Sequence, residues 1–91
     1  MQLITVGDLL RSQGKLGEAK DRYREARALM KTPEVQQRLS DTEYDHLIEK
    51  AKFYMRKEDW RTAAAWLESA RKIRNTELVQ KLIIEVKQHA K

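Results

Sequence analysis

Few side chains in this chain could do chemistry, and their spacing limits what that chemistry would be. Glu85 and His89 stand four residues apart, the i, i+4 spacing that sets a carboxylate beside an imidazole on one helix face as a pair of metal ligands. Two surface ligands without a third make a weak site. The other histidine, His46, lies in a distant segment, and there is no cysteine to complete a thiolate site. Asp41, Glu43 and Asp45 form an acidic run that lacks the glycine and the ligand spacing of a calcium loop, so they read as solvated charges or as a helix-start cluster. No glycine-rich segment cradles a phosphate, and no Ser/His/Asp arrangement is discernible. These residues point to a non-enzyme with no metal and no cofactor.

The elements that carry those side chains are legible from composition and repetition. With 91 residues, one proline, three glycines, 36% charged residues and no alternation of β-branched residues, the chain reads as a single all-α domain, residues 1–91. A domain this small buries only about 60% of its unfolded surface. No apolar run approaches the roughly 20 residues of a membrane span, and the first residues lack a signal-peptide pattern. A soluble protein is expected, the cytoplasm favoured and the compartment left open. Shifting the chain by 44 residues aligns Leu3-Ile4 with Leu47-Ile48, Ala19 with Ala63, Ala26-Arg27 with Ala70-Arg71, Thr32 with Thr76, and Val35-Gln36 with Val79-Gln80. Class-preserving pairs (Gly7/Ala51, Leu10/Tyr54, Leu16/Trp60, Tyr23/Leu67, Leu29/Ile73, Leu39/Ile83) share that register. Two copies of one unit, residues 3–46 and 47–90, follow.

Helical periodicity divides each copy. Leu3, Val6 and Leu10, with Gly7 on the same side, predict a first helix over 2–13 that ends at Gly14. Leu16, Ala19, Tyr23, Ala26 and Leu29/Met30 predict a second over 16–30, whose small-large alternation suits interlocking with a neighbour. Thr32-Pro33 is an N-cap followed by proline at the first helical position. A third helix over 33–57 follows, with Val35, Leu39, Leu47, Ala51 and Tyr54 on one face and Thr42, Glu43 and His46 interrupting it. Ser40-Asp41-Thr42-Glu43 is an alternative capping box, so the segment is bent near Ser40 or split into two helices there. Trp60 to Ile73 then repeats the second stripe over 59–74, and Val79, Leu82/Ile83 and Val86 define a last helix over 76–90.

Leu3-x2-Val6-Gly7-x2-Leu10, Gly14-x-Leu16 and Ala19-x3-Tyr23-x2-Ala26 resemble the tetratricopeptide repeat pattern, with small residues where paired helices cross and large ones beside them. Leu47-x3-Ala51-x2-Tyr54, Trp60 and Ala63-x3-Leu67-x2-Ala70 follow it more loosely. The usual tryptophan is Leu3 or Leu47, and the turn glycine becomes Glu58. The closing proline is displaced to Pro33 and missing from the second copy, and the period is 44 residues where that family usually has about 34. The resemblance implies two stacked antiparallel helical hairpins with a lengthened connecting helix and a C-terminal capping helix. It also implies a scaffold or adaptor role, binding another protein or peptide on the face of the first helix of each pair. The outward positions it marks are Ile4, Asp8, Arg11 and Ser12 in the first copy and Ile48, Lys52, Met55 and Arg56 in the second. Ile4 and Ile48 either anchor an apolar group or pack one hairpin on the next.

Two further readings compete. Residues 1–46 carry eight cations and eight anions, residues 47–91 eleven and six, so the whole +5 charge belongs to the second copy. That excess suits an acidic partner or sequence-independent contact with nucleic acid. Nucleic acid is unlikely on this pattern, because Tyr54, Trp60 and Trp66 fall on or near the core stripes and leave no aromatic for base stacking. Trp66, which aligns with Arg22, either covers the joint made by the lengthened helix or lies exposed as a contact residue. Homo-oligomerisation is the other reading: Leu78, Leu82, Ile83, Ile84 and Val86, beside Val79, are more apolar positions than one buried stripe needs.

Overall fold

The computed structural model describes the backbone of residues 2–89 and the side chains of residues 5–89. Five helices follow one another: α1 Gln2–Ser12, α2 Leu16–Leu29, α3 Pro33–Arg56, α4 Trp60–Ile73 and α5 Glu77–His89. There is no strand among the described residues. The fold is all-α, and each helix ends within a residue or two of where periodicity and caps place it. The chain divides into two compact units, Met1–Asp45 and His46–Lys91, which meet within the unbroken α3.

Each unit thus contains two whole helices and about half of α3, and this accounts physically for the long period. At about 1.5 Å per residue, α3 is roughly 36 Å long, enough to serve as the third helix of the first unit and the first helix of the second. No cap interrupts it at Ser40. Its buried residues do not share one face. Val35, Leu39 and Thr42 repeat at i, i+4, i+7, and Tyr44, Ile48 and Ala51 do so again. At about 100° per residue the second set lies on the opposite side of the helix from the first. Thr42, read from sequence as an interruption, is fully buried, and its hydroxyl donates to the Arg38 carbonyl at 2.8 Å, so it carries no unmet polar group.

Several residues 44 apart occupy equivalent buried places in the two units. Ala19 and Ala63, Tyr23 and Leu67, and Val35 and Val79 are fully buried, as are Ala26 and Ala70 to within a few per cent. The connections repeat as well. Lys15 N–H donates to the Leu10 carbonyl at 2.9 Å and Gly14 N–H to Arg11 at 3.0 Å, while Asp59 donates to Tyr54 at 2.9 Å and Glu58 to Met55 at 3.0 Å. Both are Schellman closures. Thr32 and Thr76 each accept through Oγ1 from the third residue onward, Val35 and Val79, at 3.2 Å in both cases. These threonines cap α3 and α5 as the sequence requires.

One turn is imperfect. Gly14 closes α1 at φ +78°, whereas Glu58 closes α3 at φ +61°, a left-handed conformation that costs an L-residue about 1–2 kcal/mol. Glu58→Gly is therefore expected to raise stability by about 1 kcal/mol, read as an increase in the denaturation midpoint at unchanged slope. A fall in the midpoint would show that the glutamate side chain contributes more than its backbone costs.

Candidate functional site

In the first unit, two of the outward positions marked from sequence, Asp8 and Arg11, link the three helices. Asp8 accepts from the Tyr23 hydroxyl and, at 3.1 Å, from Arg38 Nε on α3; Arg38 Nη1 also donates to Glu34 at 2.5 Å. Arg11 Nη2 reaches Asp45 at 2.8 Å, and Arg24 pairs with Glu43 at 3.6 Å. Ser12 donates its hydroxyl to the Leu9 carbonyl at 2.7 Å, a bond within the last turn of α1. Asp8 and Arg11 already have partners on other helices of the unit, which turns their role from recognition toward tying helices, while the Ser12 bond stays within α1. The Ile4 side chain lies outside the described residues.

This network shifts a titration. Burial, then the hydrogen bond to Asp8 and the Asp8 charge, raise the Tyr23 phenol from its ordinary 10.0 to about 12, against the opposing influence of Arg11 and Arg38. A raised native value stabilises the fold fully below the unfolded value of about 10, and that stabilisation is lost as pH rises toward 12. The midpoint of wild type is thus expected to drop between pH 10 and 12 relative to Tyr23→Phe. Parallel curves over that range would show that Tyr23 does not titrate with unfolding.

In the second unit the marked positions separate. Ile48 is 7% exposed, and of the two roles read from sequence its burial removes that of partner anchor and leaves packing: no docking group reaches it without opening the core. Met55 is half-buried, whereas Lys52 and Arg56 are exposed and make no ion pair among the described residues. On α5, Val86 is 1% exposed and is likewise a core residue rather than a self-association contact. Leu82 and Ile83 are half-buried, and Leu78 and Ile84 are exposed. Ile83 and Ile84 line an open groove of about 420 Å³ between α4 and α5 with Glu68, Arg71 and Lys87.

Both tryptophans are half-buried and each meets another ring. Trp60 stacks on His89 at 4.3 Å between centroids and 10° between planes. Trp66 lies nearly parallel to Tyr54 of α3 at 6.5 Å, which favours the covering role over the exposed one. His89, one of the two i, i+4 groups with ligand spacing, is thus in ring contact. No group of three or more His, Cys, Asp or Glu residues is gathered as a metal site among the described residues.

Two outward apolar positions missed by sequence reading are Leu9 and Phe53, 57% and 42% exposed and 44 residues apart, while Leu29 and Met30, expected on the stripe of α2, are exposed at its end. Leu9 and Phe53 lie one residue beyond Asp8 and Lys52, on the side of the first helix of each unit that faces away from its core. The available signal was a large apolar residue in the same register in both copies, off the buried stripe. Val6, expected in the core, is exposed beside Leu9, because Gly7 and Leu10 make the contact with α2 instead. Around Phe53, Glu49, Lys50 and Arg56 line a shallow depression of about 230 Å³. The Lys57 ammonium lies 5.0 Å from the ring centroid, in cation–π contact.

No family model, no curated protein and no solved structure matches this chain. None of its helices is long and apolar enough to cross a membrane, among the described residues. The functional reading therefore rests on the chain's own geometry.

Proposed function

We propose that this chain is a tetratricopeptide-like helical-repeat module that binds another protein, without catalysis, through the outward face of the first helix in each unit. The observation that carries this reading is the recurrence of an exposed large apolar side chain, Leu9 and Phe53, at equivalent positions of two units that share several core positions and the turn that closes the first helix. A fold that needs each Ala, Tyr or Leu at fixed places leaves these two positions free, and water-facing apolar groups there contribute to binding rather than to folding. Self-association through α5 is the weaker reading. Leu78 and Ile84 are both exposed, but the helical repeat puts them on opposite flanks of the Val79–Val86 stripe, so they form no single apolar face.

A Leu9→Ser/Phe53→Ser variant tests the reading by affinity capture against wild type. It is expected to keep the helical signal and melting temperature of wild type and to lose a protein that wild type retains. Equal recovery of every captured protein by both forms would refute the surface.

A further inference from the structure

The surroundings of Phe53 narrow the chemistry of that partner, on the reading just given. Lys50 and Arg56, at i−3 and i+3 from Phe53, share its face of α3, and Lys57, in the turn just past the helix end, lies against the ring, so three cations surround Phe53 with Glu49 at i−4 the one anion. Lys52 adds a fourth cation on the adjoining edge. Lys52, Arg56 and Lys57 are exposed, and Lys50, Lys52 and Arg56 have no ion pair among the described residues. In the first unit the equivalents of Lys50, Lys52, Arg56 and Lys57 are Val6, Asp8, Ser12 and Gln13, so the charge is particular to the second unit and is not required by the fold.

We propose that this face of α3 binds an acidic segment of a partner protein, in which an aliphatic side chain covers Phe53 while flanking carboxylates meet Lys50 and Arg56. The depression beside the ring is bounded by these two cations, which places opposite charge within reach of an anchored side chain. A nucleic-acid strand fits less well. The Lys57 ammonium occupies one side of the Phe53 ring, the ring meets Tyr54 at 5.2 Å in a T-shaped contact, and Glu49 repels phosphate. The equivalent residue in the first unit is the aliphatic Leu9, which can anchor an apolar group but cannot stack a base.

The test is fluorescence anisotropy at low ionic strength with a short labelled peptide carrying leucine between glutamates. Its companions are a leucine-to-serine peptide, a glutamate-to-lysine peptide, an oligothymidine strand and anionic phospholipid vesicles. The Glu-Leu peptide is expected to bind more tightly than any of these, with affinity falling as salt rises. Phe53→Ser and Lys50→Glu/Arg56→Glu are each expected to weaken it by about tenfold or more, while Phe53→Leu and the distant Lys81→Glu keep it. All four side chains are at the surface or half-buried, and a circular-dichroism melt of each variant confirms its fold. Unchanged affinity in Phe53→Ser, equal binding of the serine peptide, or tighter binding of oligothymidine or vesicles overturns the proposal. If the peptide does not bind while the Leu9→Ser/Phe53→Ser variant still loses a captured protein, the acidic chemistry is wrong and the protein-binding surface stands. If that variant loses nothing, the surface itself is wrong.

Discussion

Leu67→Ala is expected to lower stability by about 2–5 kcal/mol. Leu67 is fully buried and, among the fully buried side chains, second in volume only to Tyr23. Its neighbours one turn away on α4 are Ala63 and Ala70, also fully buried, and alanine has no rotamer with which to fill the space a truncation leaves. The cavity therefore persists, which puts the loss toward the upper part of that range. In thermal unfolding each kcal/mol corresponds to about 4–8 °C for a domain of this size. Leu67→Met, which keeps the volume, is expected to cost less than about 1.5 kcal/mol. A loss below about 1 kcal/mol for the alanine variant would mean that α4 moves to close the gap, against the rigid packing described.

Gly7→Ala has the second largest expected effect, and its sign depends on a single partner. A β-carbon at position 7 would lie 2.6, 2.9 and 3.0 Å from Cε1, Cδ1 and Cζ of Tyr23. The ring cannot swing away, because it is fully buried and its hydroxyl is held by Asp8. Alanine would favour the helix by about 1 kcal/mol over glycine, but overpacking against a fixed ring costs about 1–3 kcal/mol, so a net loss of up to about 2 kcal/mol is expected. In a Tyr23→Leu background the obstructing ring is gone, and the same change is expected to be neutral or stabilising. The second unit already carries that combination, Ala51 with Leu67, in the equivalent places. A double-mutant cycle over Gly7 and Tyr23 measures the coupling directly, and additive effects would show that the two residues do not constrain each other.

Much of this was legible in the sequence. Periodicity placed five helices, Thr32 and Thr76 marked two helix starts, and the 44-residue register identified residues that turn out to be buried alike. Turn chemistry was partly legible: Gly14 announced its left-handed turn, and only alignment with it singles out Glu58. Orientation was read less well. The helical wheel of α3 suggests one apolar face, whereas the buried side changes after Thr42, and Ile48 falls inside as a result. A stripe argument assumes that each helix has one core to face. Charges misled in another way: Asp8 and Arg11 look like free binding groups until the chain brings Tyr23, Arg38 and Asp45 against them, contacts separated by 15 to 34 residues that no local pattern contains.

The uneven distribution of charge gives the two units opposite responses to ionic strength. Arg11–Asp45, Arg24–Glu43 and the Asp8–Arg38–Glu34 group are attractions between half-exposed charges, and dissolved salt weakens them within a Debye length of about 10 Å at 0.1 M. The second unit has the excess of cations, and there the same salt relieves repulsion. Electrolyte therefore loosens one half of the molecule while it steadies the other.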